Sequence, residues 1–212
     1  MAIIHEVHGH ELRLLASRAI YWAEQRILLL SDIHLGKVEH FRKWGIALPR
    51  RAALDNYARL EDLIHSVDIE RVMILGDLFH SDLNQDWYRF AEFIQIFSDV
   101  SFELVLGNHD IIGMDRFRSV LQQVHEDHVV IDGLLLSHEP MQMDGCYNLS
   151  GHIHPGAVVH GRGKQRLRLP CFYFAERYGV LPAFGAFTGL HVLDPKAAEA
   201  IYVIAEDEVI AL

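Results

Sequence analysis

Short apolar runs and longer amphipathic segments alternate along the first half of this 212-residue chain. The runs at 26–30, 72–75 and 102–106 are rich in Ile, Leu and Val, as expected of strands that are buried on both faces. Between them, apolar residues recur at helical spacing and predict two helices, the first of which starts near Pro49. The positions that define them are Ala53, Tyr57, Leu60 and Ile64 in the first helix and Trp87, Phe90, Ala91, Ile94 and Phe97 in the second. This order of elements predicts right-handed parallel crossovers.

The second half, from about residue 128, consists of short apolar runs separated by turn residues such as Asp132-Gly133 and Asp194-Pro195. These runs predict strands at 129–132, 134–137, 147–150, 157–160, 166–174, 180–184, 189–193 and 201–205. An α/β half followed by a β-rich half predicts two packed sheets with helices on the outside. Because no linker or repeat interrupts the pattern, we expect residues 1–212 to form a single domain.

Metal-binding side chains directly follow five of these apolar runs. Ligands collect at the carboxyl ends of strands in open α/β sheets, so we expect these side chains to lie together. His, Asp and Asn suit a divalent ion such as Mn, Fe or Zn, and no cysteine is required. The residues are, in chain order, Asp32, His34, Asp77, Asn108, His138, His152 and His154.

The motifs in which these residues occur are Asp-x-His, Gly-Asp-x-x-His, Gly-Asn-His-Asp, His and Gly-His-x-His. This series resembles the calcineurin-like metallophosphoesterase superfamily. The resemblance implies an α/β fold, a four-layer αββα sandwich of two mixed β-sheets flanked by helices. It also implies two divalent metal ions, Mn²⁺ being the one we expect and Fe or Zn the alternatives. By resemblance, one metal is bound by Asp32, His34, Asp77 and His154, and the other by Asp77, Asn108, His138 and His152. The bridging carboxylate would offset the repulsion between two cations about 3.5–4 Å apart.

The same resemblance gives roles to three residues that are not metal ligands. His109 is expected to face the substrate, where it stabilises transition-state charge or protonates the leaving oxygen. His80 matches a histidine of the nuclease branch and therefore favours phosphodiester substrates. Asp110 has two possible roles, holding the His109 ring or capping the helix that follows, and the sequence does not separate them.

A closer resemblance, to the ligase-associated DNA-damage-response metallophosphoesterases (the PdeM family), extends over most of the chain. It is carried by stretches such as 31–37, 41–46, 76–81, 137–140, 148–155, 166–171 and 181–189. It implies an endonuclease that acts on DNA beside a DNA ligase and a helicase. Ser150 stands where a cysteine is expected in the family, which is a conservative change that leaves the metal ligands untouched.

The charge of the chain is uneven, although the net charge is −10 at pH 7. Residues 37–51 and 162–177 together hold ten of the 19 basic residues and only two acidic ones. Arg42, Lys43, Arg162, Lys164 and Arg166 are therefore expected to line a groove for substrate phosphates. The alternative, equally compatible with the charge pattern, is that these side chains cover a solvated face.

Three histidines near the start of the chain, His5, His8 and His10, could bind metal if an extended segment placed His8 and His10 on one face. We favour surface histidines on a loose or edge strand. Cys146 and Cys171 are expected to remain reduced, no signal peptide precedes the first strands, and no apolar run is long enough for a membrane span. These features predict a cytoplasmic protein with no membrane partner.

Together these observations predict a two-metal phosphodiesterase that acts on DNA. Two alternatives stay open, a phosphoesterase for nucleotides or phosphomonoesters, which the acidic net charge would suit, and a non-catalytic scaffold. The presence of every expected ligand and of His109 argues against the scaffold.

Overall fold

The structure is a computed structural model that describes residues 2–37, 51–79, 85–161, 163, 165–186 and 188–212, with the backbone alone for residues 51–53. Pro49, the predicted start of the first helix, lies outside the described residues. The same is true of five predicted site residues, namely Arg42, Lys43, His80, Arg162 and Lys164.

The first sheet of the described chain has seven strands in sequence order. They are β1 (Ile3–Val7), β2 (His10–Leu15), β3 (Ala19–Trp22), β4 (Ile27–Leu30), β5 (Arg71–Leu75), β6 (Ser101–Val105) and β7 (Gln123–His125). Neighbours are antiparallel from β1 to β4 and parallel from β4 to β7. The sheet is therefore mixed, and the carboxyl ends of β4, β5 and β6 meet at one edge.

The second sheet is also mixed and contains nine strands of the described chain. They are β8 (His128–Ile131), β9 (Leu134–Ser137), β10 (Tyr147–Ser150), β11 (Pro155–His160), β12 (Arg166–Phe174), β13 (Tyr178–Val180), β14 (His191–Val192), β15 (Ala200–Ala205) and β16 (Glu208–Ala211). β9, β10 and β13 are parallel, whereas the long β12 is antiparallel to β11, β13 and β15. β9 and β10 thus also present their carboxyl ends together.

The two larger of the three apolar clusters among the described residues lie on opposite faces of the first sheet. Successive residues of a strand face opposite sides of the sheet, so Val72 and Ile74 of β5 pack toward the helices while Met73 and Leu75 pack toward the second sheet. In the described part of the chain the α-helices with defined bounds are α1 (Arg51–Ser66), α2 (Gln85–Ile96) and α3 (Met114–Arg118), and each contributes to the helix-side cluster. The predicted fold class, two mixed sheets packed together with helices outside, is confirmed.

The strand predicted at 180–184 is displaced in the structure. β13 ends at Val180. The Leu181 N–H still bonds to the Ser150 carbonyl at the end of β10, whereas the Phe184 N–H bonds to the Ser31 carbonyl outside this sheet (both 2.8 Å). Apolar alternation shows that a segment is extended and buried, but it does not name its backbone partner. The apolar pieces at 12–15 and 19–22, which the sequence indicates as short strands, lie in β2 and β3, whereas β1, β7 and β16 lie in stretches for which the sequence predicted no strand.

Among the N-terminal histidines, the prediction of a surface residue is wrong for His10. His8 lies in the turn before β2 with a positive φ of 51°, so it does not share an extended face with His10. The buried His10 ring lies 2.8 Å from both the Glu24 carboxylate and the Asp132 carbonyl. Although burial acts in the opposite direction, these two acceptors raise the pKa of His10. Both ring nitrogens are therefore occupied within the protein.

Cys146 and Cys171 are free thiols, as expected. None of the helices in the described part of the chain has both the length and the apolar character that a bilayer crossing requires.

Candidate metal centre

All seven predicted ligands lie just beyond the carboxyl ends of parallel strands. β4 is followed by Asp32 and His34, β5 by Asp77, and β6 by Asn108. In the second sheet, His138 directly follows β9, and His152 and His154 follow β10. The two sheets thus present their ligand-bearing ends to one another, as the strand-end pattern predicted.

The first cluster consists of Asp32, His34 and His154, whose ligand atoms all lie within 4.8 Å of one another. The His154 Nε2 atom lies 3.3 Å from the Asp32 Oδ1 atom and 3.3 Å from the His34 Nε2 atom. The Asp77 Oδ2 atom faces this cluster, 3.8 Å from the His34 Nε2 atom. These four side chains are the predicted ligands of one metal.

The second cluster consists of Asn108, His138 and His152. The His138 Nε2 atom lies 2.9 Å from the Asn108 Oδ1 atom and 3.0 Å from the His152 Nδ1 atom. It also lies 3.5 Å from the Asp77 Oδ1 atom. The two oxygens of Asp77 therefore face different clusters, which is the arrangement required of a bridging carboxylate.

The chemistry of these atoms fits divalent cations. The His138 Nδ1–H donates to the Leu75 carbonyl at 3.1 Å, which leaves a lone pair on Nε2 of the neutral ring. That lone pair faces two oxygen atoms, Asn108 Oδ1 (2.9 Å) and Asp77 Oδ1 (3.5 Å), which are acceptors, and the His152 Nδ1 atom (3.0 Å), which is itself a possible metal ligand. Asp32 and Asp77 are almost completely buried, and no Lys or Arg among the described residues forms an ion pair with either. Bound cations would compensate the buried charges and the facing lone pairs.

Five of the seven predicted ligands adopt left-handed backbone conformations, with φ between 50° and 65°. They are Asp32, His34, Asp77, His152 and His154. Few non-glycine residues adopt positive φ, and such conformations persist where the surrounding structure imposes them. These left-handed residues turn the chain at the ends of β4, β5 and β10, where the predicted ligands are brought together.

The loops that carry the ligands touch one another so closely that two glycines are required. A Cβ atom on Gly76, whose φ is 77°, would lie 2.1 Å from the His138 ring. A Cβ atom on Gly107 would lie 2.4 Å from both the Asp77 backbone nitrogen and its Oδ1 atom. The absence of a side chain at these positions lets the loops after β5, β6 and β9 meet.

We expect Gly107→Ala to lower metal affinity and phosphoesterase turnover, each by at least about 10-fold, because the added methyl group displaces Asp77 and misplaced ligand shells cost about that much. Metal binding can be measured by equilibrium dialysis with elemental analysis. Gly189→Ala is the control, since its Cβ atom meets no other atom within 4 Å. Unchanged affinity in Gly107→Ala would show that the loops can separate without cost.

Asp110 performs neither of the two roles considered for it. Its two carboxylate oxygens accept the backbone N–H groups of Gly107 (2.9 Å) and Phe79 (3.2 Å). The helix that follows is preceded by Gly113, and no side chain caps it. Burial raises the pKa of Asp110 to about 7. The carboxyl group therefore ties the loop after β6 to the loop after β5.

His109 and Lys37 lie beside the two clusters. The His109 side chain is exposed, its backbone N–H donates to the Asp77 Oδ1 atom at 3.0 Å, and its ring centroid lies 5.7 Å from that of His34. Lys37 is half-buried, and although burial lowers its pKa, the carboxylates of Asp32 and Asp77 act in the opposite direction. Lys37 belongs to a basic segment of the sequence, but only the structure relates it to these carboxylates.

Arg166, in contrast, is not adjacent to the clusters. β11 begins directly after His154, and Arg166 pairs with His160 at the other end of that strand. Six residues of extended chain span at most about 20 Å. Arg166 and Arg168 both project from this arm, which we define as residues 155–161 and 165–170, and both side chains are exposed. The predicted phosphate-binding groove does not reach the clusters through Arg166. Instead, Arg166 lies on an arm that begins directly after the predicted ligand His154.

The comparisons with known proteins agree with this geometry. The family model for calcineurin-like phosphoesterases matches residues 25–181. The structure matches the crystal structure of Pseudomonas putida nuclease MPE with a TM-score of 0.86, at 33% sequence identity and with 100% of both chains covered. No curated protein matches the sequence.

Proposed function

Because this chain belongs to the calcineurin-like phosphoesterase family, we propose that it hydrolyses phosphodiester bonds with two divalent cations, and that its substrate is DNA. One observation supports the two-cation centre above all others. The two oxygens of Asp77 face separate clusters, with the His34 Nε2 atom 3.8 Å from one oxygen and the His138 Nε2 atom 3.5 Å from the other. The structural neighbour from Pseudomonas putida is named a nuclease, which supports the diester substrate.

The protein residues have separable tasks in this proposal. The cations, when bound, supply Lewis-acid stabilisation of charge on the phosphoryl oxygens. The buried carboxylates and the histidines fix the cations, and the exposed His109 ring donates a proton or a hydrogen bond to the leaving oxygen. Lys37, near Asp32 and Asp77, adds positive charge on the substrate side.

The arm of β11 and β12 is the surface that favours DNA over a small molecule. Arg166 and Arg168 are two residues apart on one strand, so they project from the same face. They pair with His160 and Val158, which lie six and four residues beyond His154. One strand of a duplex carries a phosphate about every 3.4 Å, so the arginines would meet phosphates remote from the cleaved one. A small diester would not reach them.

We expect Arg166→Glu with Arg168→Glu to raise the KM for an oligonucleotide several-fold. Each phosphate contact contributes about 0.9 to the log–log salt slope on duplex DNA and about 0.7 on single strands. Two lost contacts should therefore flatten the slope by about 1.4–1.8. Turnover of bis(p-nitrophenyl) phosphate should be unchanged, since that substrate reaches only the cations. Steady-state rates over a series of salt concentrations measure both quantities.

The control is the double variant Arg13→Glu with Arg177→Glu, which changes the net charge equally. Both residues are exposed, and Arg177 precedes β13, at the end of the sheet opposite to His152. If the two double variants alter oligonucleotide cleavage equally, the arm has no special role. If neither alters it, the substrate is a small phosphoester and the proposed metal chemistry is unaffected.

A substrate panel tests the proposed activity itself. Manganese-loaded protein is assayed on single-stranded, duplex and nicked DNA, RNA, cyclic nucleotides and bis(p-nitrophenyl) phosphate. We expect cleavage of DNA and of the generic diester, both abolished by chelation. Hydrolysis of nucleotides or monoesters alone would favour the small-molecule function, and no hydrolysis with metal bound would favour the scaffold. Association with a DNA ligase and a helicase, manganese as the metal and a cytoplasmic location stay predictions from the sequence.

A further inference from the structure

The loop of residues 31–35, which carries two of the predicted ligands, is held by hydrogen bonds on both sides. On one side, its N–H groups bond to the loop after β5, with the Asp32 N–H on the Gly76 carbonyl (3.1 Å) and the His34 N–H on the Asp77 carbonyl (2.9 Å). On the other side, its carbonyl groups accept hydrogen bonds from residues outside these two loops. The partners of those carbonyls therefore help to fix Asp32 and His34.

Three successive carbonyl groups of this loop accept hydrogen bonds, two from residues 184–185 and one from α1. The Ser31 carbonyl accepts from the Phe184 N–H (2.8 Å) and the Asp32 carbonyl from the Gly185 N–H (2.9 Å). The Ile33 carbonyl accepts from the side-chain Nδ2 of the buried Asn56 on α1 (3.4 Å). The contact is tight, since a Cβ atom on Gly185 would lie 2.3 Å from the Ile33 oxygen.

Asn56 and Arg59, both on α1, hold residues 183–186 against the loop, and we call these residues the 183–186 segment. The Asn56 Oδ1 atom accepts both the Ala186 N–H (3.3 Å) and an Arg59 Nη2–H (3.2 Å). The Arg59 Nη2 atom also donates to the Phe184 carbonyl, and the guanidinium group lies 4.1 Å over the Phe184 ring. The segment is thereby held both by hydrogen bonds to its backbone and by a cation–π contact with the Phe184 ring.

A second guanidinium group, on a turn of the first sheet, also holds the 183–186 segment. Arg18, in the turn before β3, donates through Nη1 to the carbonyls of Ala183 (3.3 Å) and Gly185 (3.4 Å). Burial, together with the positive charge of Arg18, lowers the pKa of Arg59 to about 10. The three carbonyl groups of residues 183–185 accept hydrogen bonds from the two neighbouring cations, and the negative charge of Asp55 also acts in favour of the charged Arg59.

We infer that Asn56 and Arg59 are positioning residues for the first cluster, acting through the 183–186 segment and the loop of residues 31–35. This inference rests on the proposed two-cation function. It predicts that removing either side chain weakens the metal at Asp32, His34 and His154 and leaves the metal at Asn108, His138 and His152 in place. Partners outside the ligand shell typically change metal affinity by about 10–100-fold.

The test is Mn²⁺ binding to Arg59→Met, measured by calorimetric titration and by electron paramagnetic resonance. We expect the parent to bind two ions with the spectrum of a coupled pair. Arg59→Met should bind one ion with the parent's affinity and the other about 10–100-fold more weakly, with a mononuclear spectrum at limiting metal. Arg59→Lys, which can restore one bond to the Phe184 carbonyl, should recover part of the lost affinity. Asn56→Asp, which replaces the Nδ2 donor with an oxygen at nearly the same size, should resemble Arg59→Met and serves if Arg59→Met does not fold.

Arg71→Met is the matched control, because Arg71 bonds to Glu103 at the start of β5, at the opposite end of that strand from Asp77. It should bind two ions like the parent. Two ions bound with parental affinity in both Arg59→Met and Asn56→Asp would overturn the inference. So would equal weakening of both ions in these variants and in Arg71→Met, since that pattern reports stability alone. A parent that binds no pair of ions would contradict the proposed function instead, so the two failures are distinguishable.

Discussion

Asp77→Asn should abolish phosphoester turnover and reduce the bound metal below two ions per chain. Asp77 is the side chain whose two oxygens face both clusters, at 3.8 Å from the His34 Nε2 atom and 3.5 Å from the His138 Nε2 atom. A neutral amide cannot offset the charge of two dications, and one of its two ends is a donor that faces a ligand. Metal content by elemental analysis and turnover of bis(p-nitrophenyl) phosphate measure the two effects.

Thermal unfolding separates this loss from a folding defect. A ligand at 100 times its Kd stabilises the folded protein by about 2.7 kcal/mol, so Mn²⁺ should raise the Tm of the parent by more than it raises that of Asp77→Asn. Without metal, Asp77→Asn should be at least as stable as the parent, because a buried negative charge has been removed. Asp86→Asn is the control, since Asp86 is also buried but bonds to Arg89 on α2. Two tightly bound metals and a near-parental rate in Asp77→Asn would refute the bridging role.

His109→Asn should retain both metals and lose about 100-fold or more in turnover. The side chain is exposed beside the clusters, and its backbone N–H, which the substitution keeps, bonds to the Asp77 Oδ1 atom. Removing a general acid or a stabiliser of transition-state charge has effects of this size. The loss should be greatest for a poor leaving group and smallest for p-nitrophenolate, which needs no proton.

His65→Asn is the control for His109→Asn, because His65 lies in the last turn of α1, near Phe97 and before β5 begins. It should have the parent's rate on every substrate. If metal content in His109→Asn falls in parallel with the rate, His109 is a ligand and its assignment as the acid is wrong. An equal loss on good and poor leaving groups would instead assign His109 to charge stabilisation.

The sequence was most informative about the strands that are buried on both faces, because such strands consist mainly of apolar residues. A run such as 72–75 has no polar residue because β5 is covered on both faces. The first polar side chain after the run, Asp77, marks the end of the buried strand. Asp77, His138 and the other predicted ligands were therefore expected at strand ends, and in the structure they follow the ends of parallel strands. Strand ends are fixed by burial, which the sequence records directly.

The sequence was least informative where the structure depends on backbone conformation or on distant partners. The residue types of Asp32 and His152 do not predict a positive φ, because aspartate and histidine adopt it more often than most non-glycine residues but still at only a minority of positions. The sequence around Asp110 does not indicate that its hydrogen-bond partners are backbone N–H groups on two different loops. Arg59 on α1 and Phe184 are 125 residues apart, and no local pattern connects them. Such contacts are set by how the sheets pack, which is a property of the whole chain.

The central claim is that these seven side chains hold two cations, and anomalous X-ray scattering from Mn²⁺-soaked crystals tests it most directly. We expect two anomalous peaks about 3.5–4 Å apart. One should lie among Asp32, His34 and His154, the other among Asn108, His138 and His152, with the Asp77 carboxylate between them. No peak at millimolar Mn²⁺, or a single peak that Asp77 does not contact, would contradict the account.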